Sequence, residues 1–357
     1  MNKVLIVLPK LNSHGGVSAY WNSILPVLKK NDDIYIDILE IGGHGKNIFG
    51  FFMDQYKLFK KIKNNNHNLV LINPSLGKKS FFRDALFAKQ LIKSKTKFFS
   101  FFHGWDKNFE EVITKKYKSF FVNTFGYSEY IFVLSKDFKD CIRKWGYDKN
   151  IIVETTSIDS SLIKNFSLEK RKTYLVNSKK QKILFLARLL KEKGIYELVL
   201  AFINVSAKID NVELIIAGSG KIESELKKFT ANYENIKYTG HVENEEKILL
   251  FSEAYAYCLP SYSEGLPTSV LEAMAFALPV ITTPVGGLKE FFQNEKMGYF
   301  VKPKNVEDIE KKLELLILNK NKVLEMSEFN YNFATDKLLN TVVAKRIYQY
   351  MEEVINE

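Results

Sequence analysis

Glu264 and Glu272 have seven residues between them in the stretch SYSEGLPTSVLEAM, residues 261–274. The first acid lies in a Gly-Pro turn after the apolar run AYAYCLPSY. The second lies in a segment whose Val270, Leu271 and Met274 are spaced as on a helix. Proline suits the first helical turn, where its missing N–H costs nothing, so Pro267 predicts the helix start. At about 1.5 Å rise per residue, Glu272 then stands roughly 7–8 Å beyond Pro267. The free N–H groups at Leu266, Thr268 and Ser269, with the helix dipole, make a site for an anion. A diphosphate held there has a carboxylate on each side, and carboxylates accept well from vicinal hydroxyls. The pattern suits an elongated ligand with a phosphate centre and a sugar at each end. The plain alternative is two surface acids around an ordinary turn. The turn Glu264-Gly265-Leu266-Pro267 and the PVITTPVGG that follows weigh against it.

Further groups follow other strand-like runs. In ARLLKEKG (187–194), Arg188 and Lys193 flank a turn. A guanidinium fork and an ammonium point charge together neutralise a diphosphate. In NSHGGVSAYW (12–21), Gly15 and Gly16 let backbone amides approach a ligand at a helix start. In FHGWD (102–106), His103 is placed to hydrogen-bond a sugar or the reacting centre, and Asp106 to approach an incoming hydroxyl. AGSGKIESEL (217–226) carries Gly218 and Gly220 before a helix, with Glu223 where a dinucleotide fingerprint wants glycine. TGHV (239–242), with His241 and Val242, suits backbone contact with a flat base. There is no Asp-x-Asp, H-E-x-x-H, G-K-[ST] or G-x-S-x-G, so a metal-held nucleotide and a serine hydrolase both lose support.

These groups need a scaffold that gathers strand ends. KVLIVLP, IYIDILEI, NLVLINPS, KFFSFFHG, YIFVLS and IIVETT alternate with helical stretches in the first half. KILFLARL, VELIIAGSG, IKYTGHV, AYAYCLPS and PVITTP do so in the second. Strand–helix alternation predicts an α/β chain with parallel sheets covered by helices on both faces. The polar segment SLEKRKTYLVNSKKQ (167–181) breaks the rhythm, and the linker is expected within or near it. The domains expected are 1–166 and 167–335, followed by a helical tail. Ligands of open α/β sheets bind beyond the carboxyl ends of strands, which is where the motifs fall.

The chain has 357 residues, enough for two cores, and an ordinary globular composition. Its two cysteines, Cys141 and Cys258, lie in different halves and imply no disulfide framework, so a reducing cytoplasm is the expectation. No apolar run is long enough to span a membrane. Residues 46–97 hold twelve Lys and Arg against Asp54 and Asp84, nearly the whole net charge of +11. Within them NIFGFFMDQYKLFKKIK (47–63) predicts a helix with an aromatic side and a cationic side, suited to an anionic membrane surface. The alternative is a core helix with solvated lysines. No nucleic-acid module is present.

PSYSEGLPTSVLEAMAFALPVITTPVGGLKE resembles the signature of the retaining glycosyltransferases of family 4, and ARLLKEKG, AGSG, TGHV and NSHGGVSAY match the same family in order. The resemblance implies the GT-B fold: two Rossmann-like domains facing a cleft, the last helix (336–357) returning to the first. It implies a metal-independent, retaining hexosyltransferase using an NDP-sugar. Arg188 and Lys193 would bind the diphosphate and Glu272 the ribose. Glu264 would hold the donor sugar beside the backbone of Gly265, Leu266, Pro267 and Thr268. Gly16 would touch a phosphate, and His103 would lie near the sugar. Ala277 departs from the family's usual glycine. The basic first half suggests a lipid-linked saccharide acceptor in bacterial surface polysaccharide synthesis, with the protein peripheral on the inner face of the cytoplasmic membrane. A nucleotide-sugar epimerase of like architecture and a non-catalytic sugar-nucleotide sensor are the competing readings.

Overall fold

The computed structural model describes residues 1–13, 15–42 and 48–357. His14 of the glycine turn, and Lys46 and Asn47 at the head of the basic stretch, lie outside them. The chain forms two compact units, Met1–Ser157 with Asn340–Glu357, and Ile158–Leu339.

The first unit is built on six parallel strands, β1 (Asn2–Pro9), β2 (Ile34–Ile41), β3 (Leu69–Ile72), β5 (Phe98–Phe102), β7 (Tyr130–Val133) and β8 (Asn150–Val153). Their spatial order is β2-β1-β3-β5-β7-β8. A two-residue parallel ladder, β4 (Ser75–Leu76) with β6 (Gly104–Trp105), joins the segments that follow β3 and β5. Val4–Leu8 and Phe98–Phe102 are buried throughout, because helices cover both faces of the sheet. Helix α1 (Gly16–Leu28) and the final helix, Asn340–Asn356, share one apolar cluster through Trp21, Ile24, Ile347 and Met351. That last helix is also tied by polar bonds. Arg346 forms a two-point ion pair with the buried Glu154, and the Asn340 amide donates to Ser23 O at 2.9 Å.

The second unit repeats the plan with β9 (Gln181–Leu186), β10 (Val212–Ala217), β11 (Ile236–Gly240), β12 (Ala256–Leu259), β13 (Val280–Thr282) and β14 (Gly298–Phe300). The order is β11-β10-β9-β12-β13-β14, all parallel. The three-residue β14 has no pattern that announces it in sequence.

Three expectations need correction. The segment 167–181 is no linker: Leu168–Asn177 is a helix capped by Ser167. Its Arg171 is buried and donates to Ser252 O and Ala254 O, which fixes it to the second unit. Pro267 stands one residue ahead of the helix Thr268–Ala275, at the N-cap, with extended backbone. Helix α2 (Ile48–Asn65) has no separate aromatic and cationic sides. Phe49, Phe52, Tyr56 and Phe59 are 78, 60, 60 and 53% exposed, on the face that also carries Lys60 and Lys63. The buried face is Asp54 and Leu58, so these aromatics do not join the core.

Candidate functional site

In the second sheet the strand order reverses between β9 and β12, and an open α/β sheet receives ligands at such a reversal. ARLLKEKG follows β9 and SYSEGLP follows β12, so the two motifs are neighbours. They are stitched together by the Tyr262 N–H donating to Glu192 O at 2.8 Å. The Tyr262 hydroxyl adds a bond to Glu197 at 2.5 Å. Gly194 closes the first turn in a left-handed conformation, φ 70°, where a Cβ would stand 2.2 Å from Pro260 O. No other residue fits there.

Lys193 Nζ donates to Glu264 Oε1 at 2.6 Å, and the buried Ser261 hydroxyl donates to the same oxygen at 2.7 Å. Both bonds fall on Oε1, which leaves Oε2 to accept from a ligand. The ammonium and carboxylate are only 15% and 12% exposed, so each depends on the other for charge compensation. Glu272, in the second turn of its helix, pairs through Oε1 with Lys247 at 2.9 Å. Lys247 has no motif of its own, and Ser261 stands in the Glu264 stretch without a sign of its role; only the fold shows their part. Arg188 is exposed directly after β9 and has no ion-pair partner among the described residues.

The helix start is held from below and behind. The buried Tyr257 on β12 donates to Leu186 O or Ser269 Oγ, at 2.9 and 2.7 Å, and burial pushes its phenol pKa upward. The Gly287 N–H donates to Gly265 O at 2.7 Å, which explains why VGG follows in sequence. Leu266 is buried and anchors the turn, while a Cβ on Gly265 would meet nothing within 4 Å. At the helix end Ala277 and Leu278 N–H groups donate back to Met274 O and Ala273 O. Ala277 takes the left-handed C′ position of this cap at φ 55°, which is why glycine is favoured there.

Gly218 and TGHV serve the neighbouring strand ends. Gly218 N–H donates to Gly240 O at 2.7 Å, and a Cβ on Gly218 would lie 2.0 Å from Ala187 O. The glycine thus lets the loops after β11, β10 and β9 lie side by side. His241 is exposed and bonds Glu243 at 2.9 Å; Val242 packs on the core.

In the first sheet the order reverses between β1 and β3. Gly15 and Gly16 follow β1 and open α1; neither has a left-handed φ, and an added Cβ meets nothing within 4 Å at either. The fold itself does not demand glycine here. Asn73 follows β3 and His103 follows β5. Asn73 Nδ2 donates to Val7 O at 2.8 Å, so its Oδ1 is the acceptor for Trp21 Nε1–H at 2.9 Å and for His103 Nε2 at 3.1 Å. The imidazole is therefore the Nε2–H tautomer, with Nδ1 a fixed acceptor. It stacks on Phe101 at 3.9 Å and touches Tyr20, and burial pushes its pKa down to about 3. His103 is neutral near pH 7. The Asp106 carboxylate caps a helix, its Oδ1 accepting from Asn108 N and Phe109 N at 2.9 and 3.3 Å.

Residues 166–333 match the family of glycosyl transferases group 1. An uncharacterized glycosyltransferase of Haemophilus influenzae is 31% identical over 49% of this chain; the match spans half of that relative's length. The N,N'-diacetylbacillosaminyl-diphospho-undecaprenol alpha-1,3-N-acetylgalactosaminyltransferase of Campylobacter jejuni is 25% identical over 90% of this chain and 78% of its own. Among solved structures, Anabaena HepE in complex with UDP-glucose covers 99% of this chain and 100% of its own, with TM-score 0.72 and 13% identity. That likeness establishes the GT-B class of fold, two Rossmann-like units in one chain. The residues that match glycosyl transferases group 1, 166–333, all lie in the second unit, Ile158–Leu339.

Proposed function

We propose that the protein is a retaining glycosyltransferase that moves a sugar from an NDP-sugar to a hydroxyl of a lipid-linked saccharide. The observation that carries this reading is the pairing of Lys193 with Glu264, beside the amino terminus of the Thr268–Ala275 helix at the reversal point of the second sheet. Lys193, Arg188 and the helix N–H groups stabilise the diphosphate as it leaves. Glu264 Oε2 accepts from a hydroxyl of the donor sugar, and Glu272 from the ribose. The bond from the anomeric carbon to the phosphate oxygen breaks, the acceptor oxygen bonds to that carbon on the same face, and its proton passes to the leaving phosphate. The products are the glycoside and the nucleoside diphosphate. The positive charge needed comes from side chains and backbone, so the proposed reaction uses no metal.

Two comparisons support the choice of substrates. HepE was solved with UDP-glucose, and the Campylobacter relative is named for a diphospho-undecaprenol acceptor. Two further relatives are named for teichuronic acid and capsular polysaccharide biosynthesis. No described helix is long and apolar enough to cross a membrane. The exposed aromatic and lysine side chains of α2 supply a peripheral contact instead, on the inner face of the cytoplasmic membrane.

The test is release of free nucleotide from a panel of UDP- and GDP-sugars, with membrane extract as acceptor. One donor turns over, and Arg188→Ala lowers kcat/KM at least tenfold, about 1.4 kcal/mol. Unchanged turnover in that variant rejects the electrostatic account. An epimerised donor, formed without acceptor, rejects transfer altogether.

A further inference from the structure

At the end of the first sheet opposite to Gly15, Gly16 and His103, a cavity of about 930 Å³ opens where β3 and β5 begin. Phe59 and Lys63 of α2, Lys93 and Lys95 at the end of the helix Lys78–Lys93, and Val354 and Ile355 of the final helix line it. No lining residue is acidic. Lys63, Lys93 and Lys95 are exposed, with no ion-pair partner among the described residues. A fourth ammonium, Lys97, donates to Val354 O at 2.8 Å and so holds the apolar floor in place.

Lys95 stands in an unusual position. It is the C′ residue of the helix Lys78–Lys93, left-handed at φ 55°, and its N–H and that of Thr96 donate back to Ile92 O and Leu91 O. Glycine is the favoured residue for that cap, by roughly 1 kcal/mol. Helix-dipole complementarity accounts for Lys63 and Lys93, each in the last turn of its helix, but it does not call for a lysine in the left-handed position 95. The chain therefore keeps a cation where its backbone would be easier without one.

The cavity is continuous with an apolar surface. Phe59 is both its rim and the last aromatic of the exposed row Phe49, Phe52, Met53, Tyr56 and Phe59 on α2. A soluble anion would use the lysines and leave that row unused; a phospholipid uses both. We propose that this cavity binds the phosphate headgroup of an anionic membrane phospholipid, whose acyl region meets the aromatic row of α2. It is apart from Gly15, Gly16 and His103, which follow the carboxyl ends of strands in the same sheet. The inference rests on the membrane contact proposed for α2, and it adds where the headgroup sits.

The experiment is sedimentation of the full chain with vesicles of phosphatidylcholine alone or mixed with phosphatidylglycerol. The wild-type chain partitions onto the phosphatidylglycerol vesicles. The pair Lys63→Glu with Lys93→Glu lowers that partition at least about tenfold, since each lysine near an anionic surface counts for about 1 kcal/mol. Lys95→Gly lowers it about fivefold while raising Tm, a combination that a structural role for the lysine would not produce. Lys29→Glu with Lys30→Glu, on the same unit but away from the cavity, serves as the charge control. An equal loss in that control, or none in the cavity variants, overturns the headgroup site. If Phe52→Ser with Tyr56→Ser still loses binding, the contact by α2 survives that failure. No wild-type partition at all sinks both. Amide shifts of Lys95 and Thr96 on titration with dihexanoylphosphatidylglycerol, but not with inorganic phosphate, identify the lipid as the source; equal shifts with phosphate overturn it.

Discussion

At the reversal point of the second sheet the polar groups are ions in pairs: Lys193 with Glu264, Lys247 with Glu272, and Arg188 exposed beside them. At the reversal point of the first sheet they are neutral: Asn73, the Nε2–H tautomer of His103, and two glycines whose missing side chains nothing in the fold requires. The same six-strand parallel plan thus carries two different chemistries. Ions suit a ligand whose charge grows as a phosphate leaves. A neutral imidazole with a fixed acceptor suits a hydroxyl, which must be oriented without being ionised.

The largest effect should come from breaking the ionic side. Lys193→Ala removes a diphosphate ligand and strands the Glu264 carboxylate, so kcat/KM should fall by about 10²–10³. Arg188→Ala, at an exposed residue with no ion-pair partner among the described residues, should lose activity with Tm unchanged, which separates ligand binding from folding. Next comes a pair of glycine variants. Gly194→Ala places a Cβ 2.2 Å from Pro260 O and should destabilise the protein by about 2 kcal/mol or more, read from denaturant unfolding. Gly16→Ala, at the first residue of α1, should leave stability unchanged or raise it by up to about 1 kcal/mol. It should nevertheless weaken donor turnover roughly tenfold. Retained activity in that variant would show that Gly16 does not touch the donor.

The smallest effect is an absence of change. The folded His103 binds its proton only near pH 3, far below an unfolded histidine, so it is neutral throughout pH 5–9. Imidazole ¹⁵N shifts should show a proton on Nε2 and none on Nδ1 across that range. A His103 titration step between pH 5 and 9 would contradict the neutral site. The sign for stability is also set. The unfolded chain takes up the proton first, so this group's contribution is complete above about pH 6.5 and is lost as pH falls toward 3.

Much of the second unit was legible because its backbone needs particular residues. Gly194 and Gly218 are forced by carbonyls about 2 Å from any Cβ, and Leu266 and VGG by the anchoring of one turn. Such needs leave a local signature. Lys247 left none, and Ser261 stood in the Glu264 stretch with its role unmarked, since a lysine on a helix or a serine in a loop is ordinary until the fold brings it to a carboxylate. Asn73 was hidden in the same way, as one more polar residue after a strand. The motif around Asp106 did not show its local use, in which one carboxylate oxygen caps the first turn of the following helix.

Sequence alone determined the alternation of strands and helices, the strand-end positions of the motifs, and the acid–turn–helix–acid order around Pro267. These follow from periodicity and backbone stereochemistry, which act over a few residues. Only the tertiary structure decided which charges meet, which histidine tautomer exists and which face of α2 stays exposed. Those depend on burial and on partners distant in the chain. A composition of aromatics and lysines is the same whether the aromatics are in a core or on a surface, and the packing of Asp54 and Leu58 against the first unit settled which.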